Sequence, residues 1–198
     1  MKILEITNND ANIHLVVQTM AEAFSSDPLY HYFIEEEVTR VKFLKQFMKF
    51  RLMYGLKHGK VFVSEDYKSV AIWISPNHKM SPVGLLVCGG LKGLLSCSST
   101  ERKRIMEFNS FADKILAQNI KQPYWLLSPI CVAPSCQGRG YGKELIVHGL
   151  NFIDQIQYPC VLETQSDKNK SIYEKYGFQV LCCTNHPGSG TNHYLMIK

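Results

Sequence analysis

The sequence predicts a mixed α/β (or α+β) domain, and three observations carry that expectation. Runs of β-branched and aromatic residues of strand length alternate with stretches of helical periodicity. No internal repeat or low-complexity linker divides the 198 residues, and one helical template, from Gly142 to Ile153, is filled without a gap. A chain of this length can bury roughly 70% of the surface its unfolded form exposes, so one domain over 1–198 is expected.

The elements follow in order. A short strand spans Lys2 to Thr7; then Ile13, Val16, Val17, Met20 and Phe24 recur at i, i+3, i+4, i+7 and i+11 behind the caps Asn9 and Asp10, an amphipathic helix that Asp27-Pro28 stops. A second helix is expected from Thr39 to Leu56, with Phe43, Phe47, Phe50 and Tyr54 on one stripe and Gly59 closing it. Val61 to Glu65 and Val70 to Ser75 flank the polar turn Asp66-Tyr67-Lys68 as a hairpin, ended by Pro76. Val83 to Asn119 reads as two helices broken by Gly89, Gly90 and Gly93, the second carrying Ile105, Phe108, Ala112 and Ile115.

Tyr124 to Val132, apolar and bounded by Pro123 and Pro134, reads as a central buried strand. Pro129 cannot donate to a ladder, so the strand should bulge or part from a neighbour there. Gly142, Leu145, Ile146, Gly149, Leu150 and Ile153 then make the best helix of the chain. Strand Cys160 to Thr164, a short helix from Lys168 to Tyr176 capped by Gly177, and strands Phe178 to Cys183 and His193 to Ile197 complete the order.

Composition narrows the function classes. Hydrophobic residues make up 45% and charged residues 20%, ordinary globular usage. The net charge of +5 suits a protein that holds a polyanionic small molecule, but no basic run with interleaved aromatics suggests a nucleic-acid partner. The seven cysteines make neither a CxxC pair nor a Cys/His zinc spacing, so reduced thiols and no metal are expected. Met1-Lys2-Ile3-Leu4-Glu5 turns polar too soon for a signal peptide, which gives a cytoplasmic expectation. Val83 to Leu95 is the most membrane-like stretch, yet its glycines, Lys92 and length exclude a spanning helix.

The chemistry concentrates at Ala133-Pro134-Ser135-Cys136-Gln137-Gly138-Arg139-Gly140-Tyr141-Gly142-Lys143, which joins the central strand to the best helix. A helix start offers unpaired N–H groups and a positive dipole end, glycines allow close approach of a diphosphate, and Arg139 and Lys143 add charge. A Rossmann loop would need glycine at Lys143, and a Walker loop glycine at Gln137 and Ser or Thr at Glu144, so another nucleotide diphosphate is the weaker use. The alternative reading is that the glycines serve the turn alone.

Gln137-Gly138-Arg139-Gly140-Tyr141-Gly142 resembles the Q/R-x-x-G-x-G/A pyrophosphate loop of GNAT acetyltransferases, and Asn169 to Phe178 resembles that family's second CoA-side segment. The resemblance implies a mostly antiparallel central sheet flanked by helices, with a splayed central strand at the CoA cleft. It further implies an acetyl-CoA-dependent N-acetyltransferase acting on a small-molecule amine, with an acceptor side over about 1–122 and a CoA-binding side over about 123–198. The strand Ile130-Cys131-Val132 would pair with pantetheine, the loop from Gln137 to Lys143 would hold the diphosphate, and Asn169 would contact the CoA arm. Ala23-Phe24-x-x-Asp27-Pro28, Val70-Ala71-Ile72-Trp73-x-x-Pro76 and Trp125-Leu126 resemble a branch that includes puromycin N-acetyltransferase-like proteins, which does not make puromycin the substrate.

Acyl transfer needs a neutral amine, a stabilised oxyanion and a proton for the thiolate. Tyr173, four residues after Asn169 and on the same helix face, is the candidate general acid, a place where GNAT enzymes often carry a tyrosine; otherwise it packs helix on sheet. Glu163, at the end of its strand, is the candidate base, or else a hydrogen-bond partner across the sheet. The oxyanion would be held by a backbone N–H of the Ile130 to Val132 strand. A nucleophilic Cys131 is disfavoured because alternation turns it away from the face of Ile130 and Val132, and His148 and His193 read as surface or packed histidines.

Asp27 to Arg40 and Val83 to Asn119 should wall the acceptor pocket. There Tyr30, Tyr32, Phe33 and Trp73 could stack an amine and Glu35 to Glu37 attract a cation, with packing and solvated surface as the plainer reading. A catalytically silent acyl-CoA-binding module of the same fold is the alternative function. Monomer and homodimer both stay open, since the last strand and Cys182-Cys183 could pair with a second subunit.

Overall fold

Strand-length apolar runs assemble one seven-stranded sheet in the computed structural model, which describes residues 1–76, 88 and 91–198. The strands are β1 (Ile3–Glu5), β2 (Gly59–Ser64), β3 (Ser69–Ile74), β4 (Trp125–Val132), β5 (Cys160–Thr164), β6 (Gln179–Asn185) and β7 (Asn192–Ile197). Their spatial order is β1-β2-β3-β4-β5-β7-β6, and every neighbouring pair is antiparallel except β4 with β5. The mixed, mostly antiparallel sheet flanked by helices is the predicted architecture.

Helices α1 (Ile13–Ala23), α2 (Pro28–Phe33), α3 (Glu37–His58), α4 (Leu91–Leu95) and α5 (Ser99–Asn119) lie on one face, and α6 (Tyr141–Ile156) and α7 (Asp167–Glu174) on the other. The two faces bury separate cores because side chains alternate across each strand. Val61, Val63, Val70 and Ile72 join the α1–α3 core, whereas Phe62, Ala71 and Trp73 join the α6 core. The first of the two helices expected from Val83 lies largely outside the described residues; the second is α5, started by a reciprocal cap between Ser98 and Glu101.

Two sequence expectations need correction. Helix α1 is capped at Asn12 rather than at Asn9 or Asp10, and Asp10 instead accepts the Asn12 N–H at 2.7 Å. Asp27-Pro28 does not merely stop a helix: α1 ends at Ala23, and the pair starts α2. Pro28 fills the first turn, where a missing N–H is harmless, and the Asp27 carboxylate accepts the Leu29 N–H at 2.8 Å.

Helix α6 seats on the sheet through a close approach. A Cβ added at Gly149 would lie 2.3 Å from Trp73 Cε2 and 2.4 Å from its Nε1, and Trp73 is fully buried. Overpacking of this kind costs about 1–3 kcal/mol. Gly149→Ala is therefore expected to lower Tm by several degrees in a thermal melt, and an unchanged Tm would contradict the packing described.

The central strand carries the feature that shapes the site. Against β3, Ala71 pairs with Ile130 and Trp73 with Leu127, so one extra residue is accommodated on β4 around Ser128 and Pro129. Against β5, β4 pairs only at Trp125, Leu126 and Leu127. Beyond Leu127 the two strands part, the expected consequence of Pro129 in a central strand. Through the bulge Trp125, Leu127 and Ile130 face α6, and Cys131 faces α1 and α3.

Candidate active site

The loop after β4 is built for an exposed, amide-rich helix start. A 3-10 turn (Pro134–Cys136) leads to Gly138 and Gly140, whose φ values of 76° and 87° lie in the left-handed region that glycine tolerates best. A Cβ at either would meet nothing within 4 Å, so the space above the loop is open. Glu144 N–H bonds the Gly140 carbonyl at 3.1 Å, which leaves the N–H groups of Tyr141, Gly142 and Lys143 without intrahelical acceptors. Arg139 and Lys143 are exposed beside them. The Tyr141 hydroxyl donates to Asp66 at 2.8 Å and ties the helix start to the β2–β3 turn. The Gln137 amide donates to the Val132 carbonyl at 3.3 Å, so this side chain closes the turn.

Where β4 and β5 part, groups from both faces of the sheet meet. On the α6 face Tyr173 is buried against Phe178, with ring centroids 6.0 Å apart. Its hydroxyl has no hydrogen-bond partner among the described residues, and burial pushes the phenol up to about 12. Asn169, one turn earlier on α7, is exposed. Ile130 and Val132 are half-buried along the gap. Cys131 is buried on the opposite side, and burial pushes its thiol up to about 12, away from the thiolate form.

On the α5 face Glu163 is half-buried at the end of β5 and accepts a hydrogen bond from His193 Nε2 at 3.0 Å. The other imidazole nitrogen, Nδ1, lies 2.9 Å from the Gln165 amide nitrogen. That amide can only donate, which assigns the Nε2–H tautomer and fixes a chain Gln165 to His193 to Glu163. Phe108 and Phe111 pack on the imidazole at 5.9 and 5.5 Å, and His193 is 1% exposed. His193 is thus packed, as expected, but it also orients Glu163. Asp113 on α5 has its carboxyl raised by burial and then by Glu163, and the Tyr124 phenol is raised by burial and by both carboxylates.

The sequence reading missed Arg51. Its guanidinium reaches from α3 to the Ser128 hydroxyl in the bulge and lies 5.8 Å from the Phe47 ring centroid. Desolvation lowers its pKa, while Tyr30 and Glu163 act in the opposite sense. A signal was present: Arg51 sits four residues after Phe47 and three before Tyr54, a charge on the apolar stripe of its helix.

Residues 105–180, which span most of α5 and all of β4, the glycine loop, α6, β5 and α7, match the family model described as an acetyltransferase (GNAT) domain. That segment is similar to the GNAT acetyltransferases. The chain is 27% identical over 167 residues to an uncharacterized N-acetyltransferase of Schizosaccharomyces pombe, covering 81% of this chain and 68% of that one. The fold is similar to a Corynebacterium glutamicum acetyltransferase described as histone acetyltransferase HPA2 and related, with a TM-score of 0.70 and 21% identity over 100% of this chain and 94% of the other. It is also similar to a Drosophila melanogaster polyamine N-acetyltransferase, with a TM-score of 0.62 and 13% identity over 100% and 99%. An Aedes aegypti arylalkylamine N-acetyltransferase gives the same TM-score, 0.62, at 13% identity over 100% and 99%. These structural likenesses speak to the fold, and not to the puromycin-like branch.

Within this GNAT fold several sequence candidates fall elsewhere. Trp73 lies on the α6 face, buried against Gly149, and is unavailable to stack an amine beside Tyr30. Phe33 is core, and Tyr32 packs on Phe33 and His186. Glu36 caps α3 through the Val38 and Thr39 N–H groups, and Glu35 pairs with Arg104 at 2.9 Å. His148 packs its ring on Phe62 at 4.6 Å, outside the gap.

Proposed function

We propose that the protein is an acetyl-CoA-dependent N-acetyltransferase that moves the acetyl group directly to a primary amine of a small molecule. One observation carries the reading: β4 and β5 part beyond Leu127 between an amide-rich loop, a buried tyrosine on one face and an oriented carboxylate on the other. The names of the Drosophila and Aedes neighbours, a polyamine and an arylalkylamine N-acetyltransferase, support a small amine as acceptor. On this reading residues up to about 122 form the acceptor side and those from about 123 the CoA side of one domain. It works in the cytoplasm as a monomer or homodimer, without metal, membrane or nucleic acid.

The loop fits a CoA diphosphate because the space above Gly138 and Gly140 is open and the first N–H groups of α6 face it, with Arg139 and Lys143 alongside. Ile130, Cys131 and Val132 offer strand backbone that β5 leaves unpaired, and Asn169 offers an exposed amide to the CoA arm. Acetyl-CoA, when bound, supplies an activated thioester and a thiol leaving group. Glu163, held by His193, takes the proton of the incoming ammonium directly or through water. A backbone N–H of β4 beyond the bulge stabilises the growing oxyanion. As the C–S bond breaks, Tyr173 donates a hydrogen bond to the departing thiolate; the second proton of the attacking nitrogen leaves to water, which also reprotonates the sulfur.

Titration calorimetry with CoA, acetyl-CoA, ATP and NAD, followed by a thiol-release assay over a panel of amines, tests the proposal. Micromolar CoA binding with amine-dependent thiol release supports it. Binding without release leaves the silent acyl-CoA-binding module, and absence of CoA binding ends both readings. Glu163→Gln keeps an acceptor for His193 but cannot take a proton, and kcat/KM is expected to fall by about 10²–10⁴-fold. A change of less than threefold would reduce Glu163 to a partner across the sheet.

A further inference from the structure

We infer that the acceptor carries a carboxylate as well as its amine, and that Arg51 is the residue that recognises this carboxylate. The inference rests on the acetyltransferase reading above and narrows its acceptor to amino acids or similar amphoteric amines.

The argument starts from an unbalanced charge. Arg51 projects from α3 to the place where β4 leaves β5, and its recorded protein acceptor is a neutral one, the Ser128 hydroxyl. No carboxylate lies within ion-pair distance of it among the described residues, although Glu5, Glu35, Glu107, Glu163, Glu174 and Asp154 are each paired with a cation or a histidine. Residues 77–87 and 89–90 contain no Asp or Glu in sequence, so they supply none either. Arg51 is half-buried, and a partly desolvated guanidinium without a counter-ion is a place where a ligand can bring the missing charge. None of its nitrogens is a fully buried atom left without a partner, in keeping with that half-burial.

The chemistry of the surroundings selects a carboxylate. Guanidinium presents a planar fork that matches a carboxylate bidentately. Tyr30, half-buried next to it, adds a phenol whose ionisation burial suppresses, so it stays a neutral donor. Glu163 acts electrostatically on Arg51 yet forms no ion pair with it, being held instead by His193. Ser128, which Arg51 reaches, and Glu163 each follow the last β4–β5 pair, Leu127 with Leu162, so a cation site and an anion site stand at the same gap without forming an ion pair. An ammonium at Glu163 and a carboxylate at Arg51 satisfy both. A simple amine would leave Arg51 unpaired.

The test compares acceptors that differ only in the carboxylate: phenylalanine with phenethylamine, tyrosine with tyramine, lysine with cadaverine and arginine with agmatine, in the thiol-release assay. Leaving a buried polar group of a site unmatched discriminates strongly, so the preferred acid should exceed its decarboxylated counterpart by about 100-fold or more in kcat/KM. Arg51→Met should shrink that ratio by at least about tenfold through KM for the acid, and Arg51→Lys should recover part of it. Wild-type protein that uses the decarboxylated members equally well or better overturns the inference while leaving the acetyltransferase reading intact. So does a ratio that Arg51→Met does not move. If Arg51→Met loses CoA affinity in calorimetry, Arg51 serves the CoA side and the inference falls as well. Where neither class is acetylated, titration of the CoA-saturated protein with the acids decides: absence of binding counts against the inference, and absence of CoA binding itself counts against the broader reading.

Discussion

Tyr173→Phe is expected to lower kcat for thiol release by about 10²–10⁴-fold while CoA affinity stays within a fewfold of wild type. The substitution keeps the ring on Phe178 and removes a hydroxyl that has no partner among the described residues, so no buried donor or acceptor is orphaned. Stability should therefore change by less than about 1 kcal/mol, and the loss can be assigned to chemistry. The pH profile gives a second check. Burial raises the phenol to about 12, so its protonated form persists throughout the alkaline range in which an ordinary tyrosine, near 10, would begin to ionise. The ratio of wild-type to variant rate should be flat from about pH 6 to about pH 10. A Tyr173→Phe protein that turns over like wild type would make Tyr173 a packing residue and leave the thiolate without a donor from this helix.

Gly140→Val should abolish CoA binding in calorimetry, with an affinity loss of at least about 100-fold. Two effects combine. At φ of 87° a β-branched residue is strained by about 1–3 kcal/mol, and relief of that strain rotates the amides at the start of α6. The new side chain also projects into the open space above the loop. Gly190 supplies the control, because its φ of 69° is comparable and its surroundings are equally open, but it lies in the β6–β7 turn. Gly190→Val should lower Tm while retaining CoA affinity. If both variants lose CoA equally, instability rather than the loop explains the result.

What could be read from sequence was what local periodicity and backbone chemistry dictate. Helix α6 filled its template because one face must meet the sheet, and Pro129 announced the bulge and the parting of β4 because it cannot donate to a ladder. The glycine-rich turn into α6 was legible from Gly138, Gly140 and Gly142, whereas the left-handed backbone at Gly138 and Gly140 is seen only in the structure. What escaped depends on tertiary placement. Helix α2 is too short for a periodic signal, and in sequence its two cues, Asp27 and Pro28, read equally as the stop of the preceding helix. The link from His193 to Glu163 joins residues 30 apart on neighbouring strands, and no spacing rule connects them. Trp73 looked like a stacking platform because the sequence does not say which face of β3 meets the glycine of α6. Arg51 was concealed by its own helix, whose aromatic stripe drew attention away from the single charge among it.

The strand order also constrains how the chain can be made. Strand β7 sits between β5 and β6, and among the described residues β6 pairs with β7 alone. During synthesis β5, α7 and β6 all precede the segment that joins them, so until residues 192–197 leave the ribosome the edge of β5 stays open and β6 has no strand to rest on. Strand pairing of this non-local kind forms late and leaves edges accessible to other chains meanwhile. A nascent chain arrested before Asn192 should accordingly depend on chaperones.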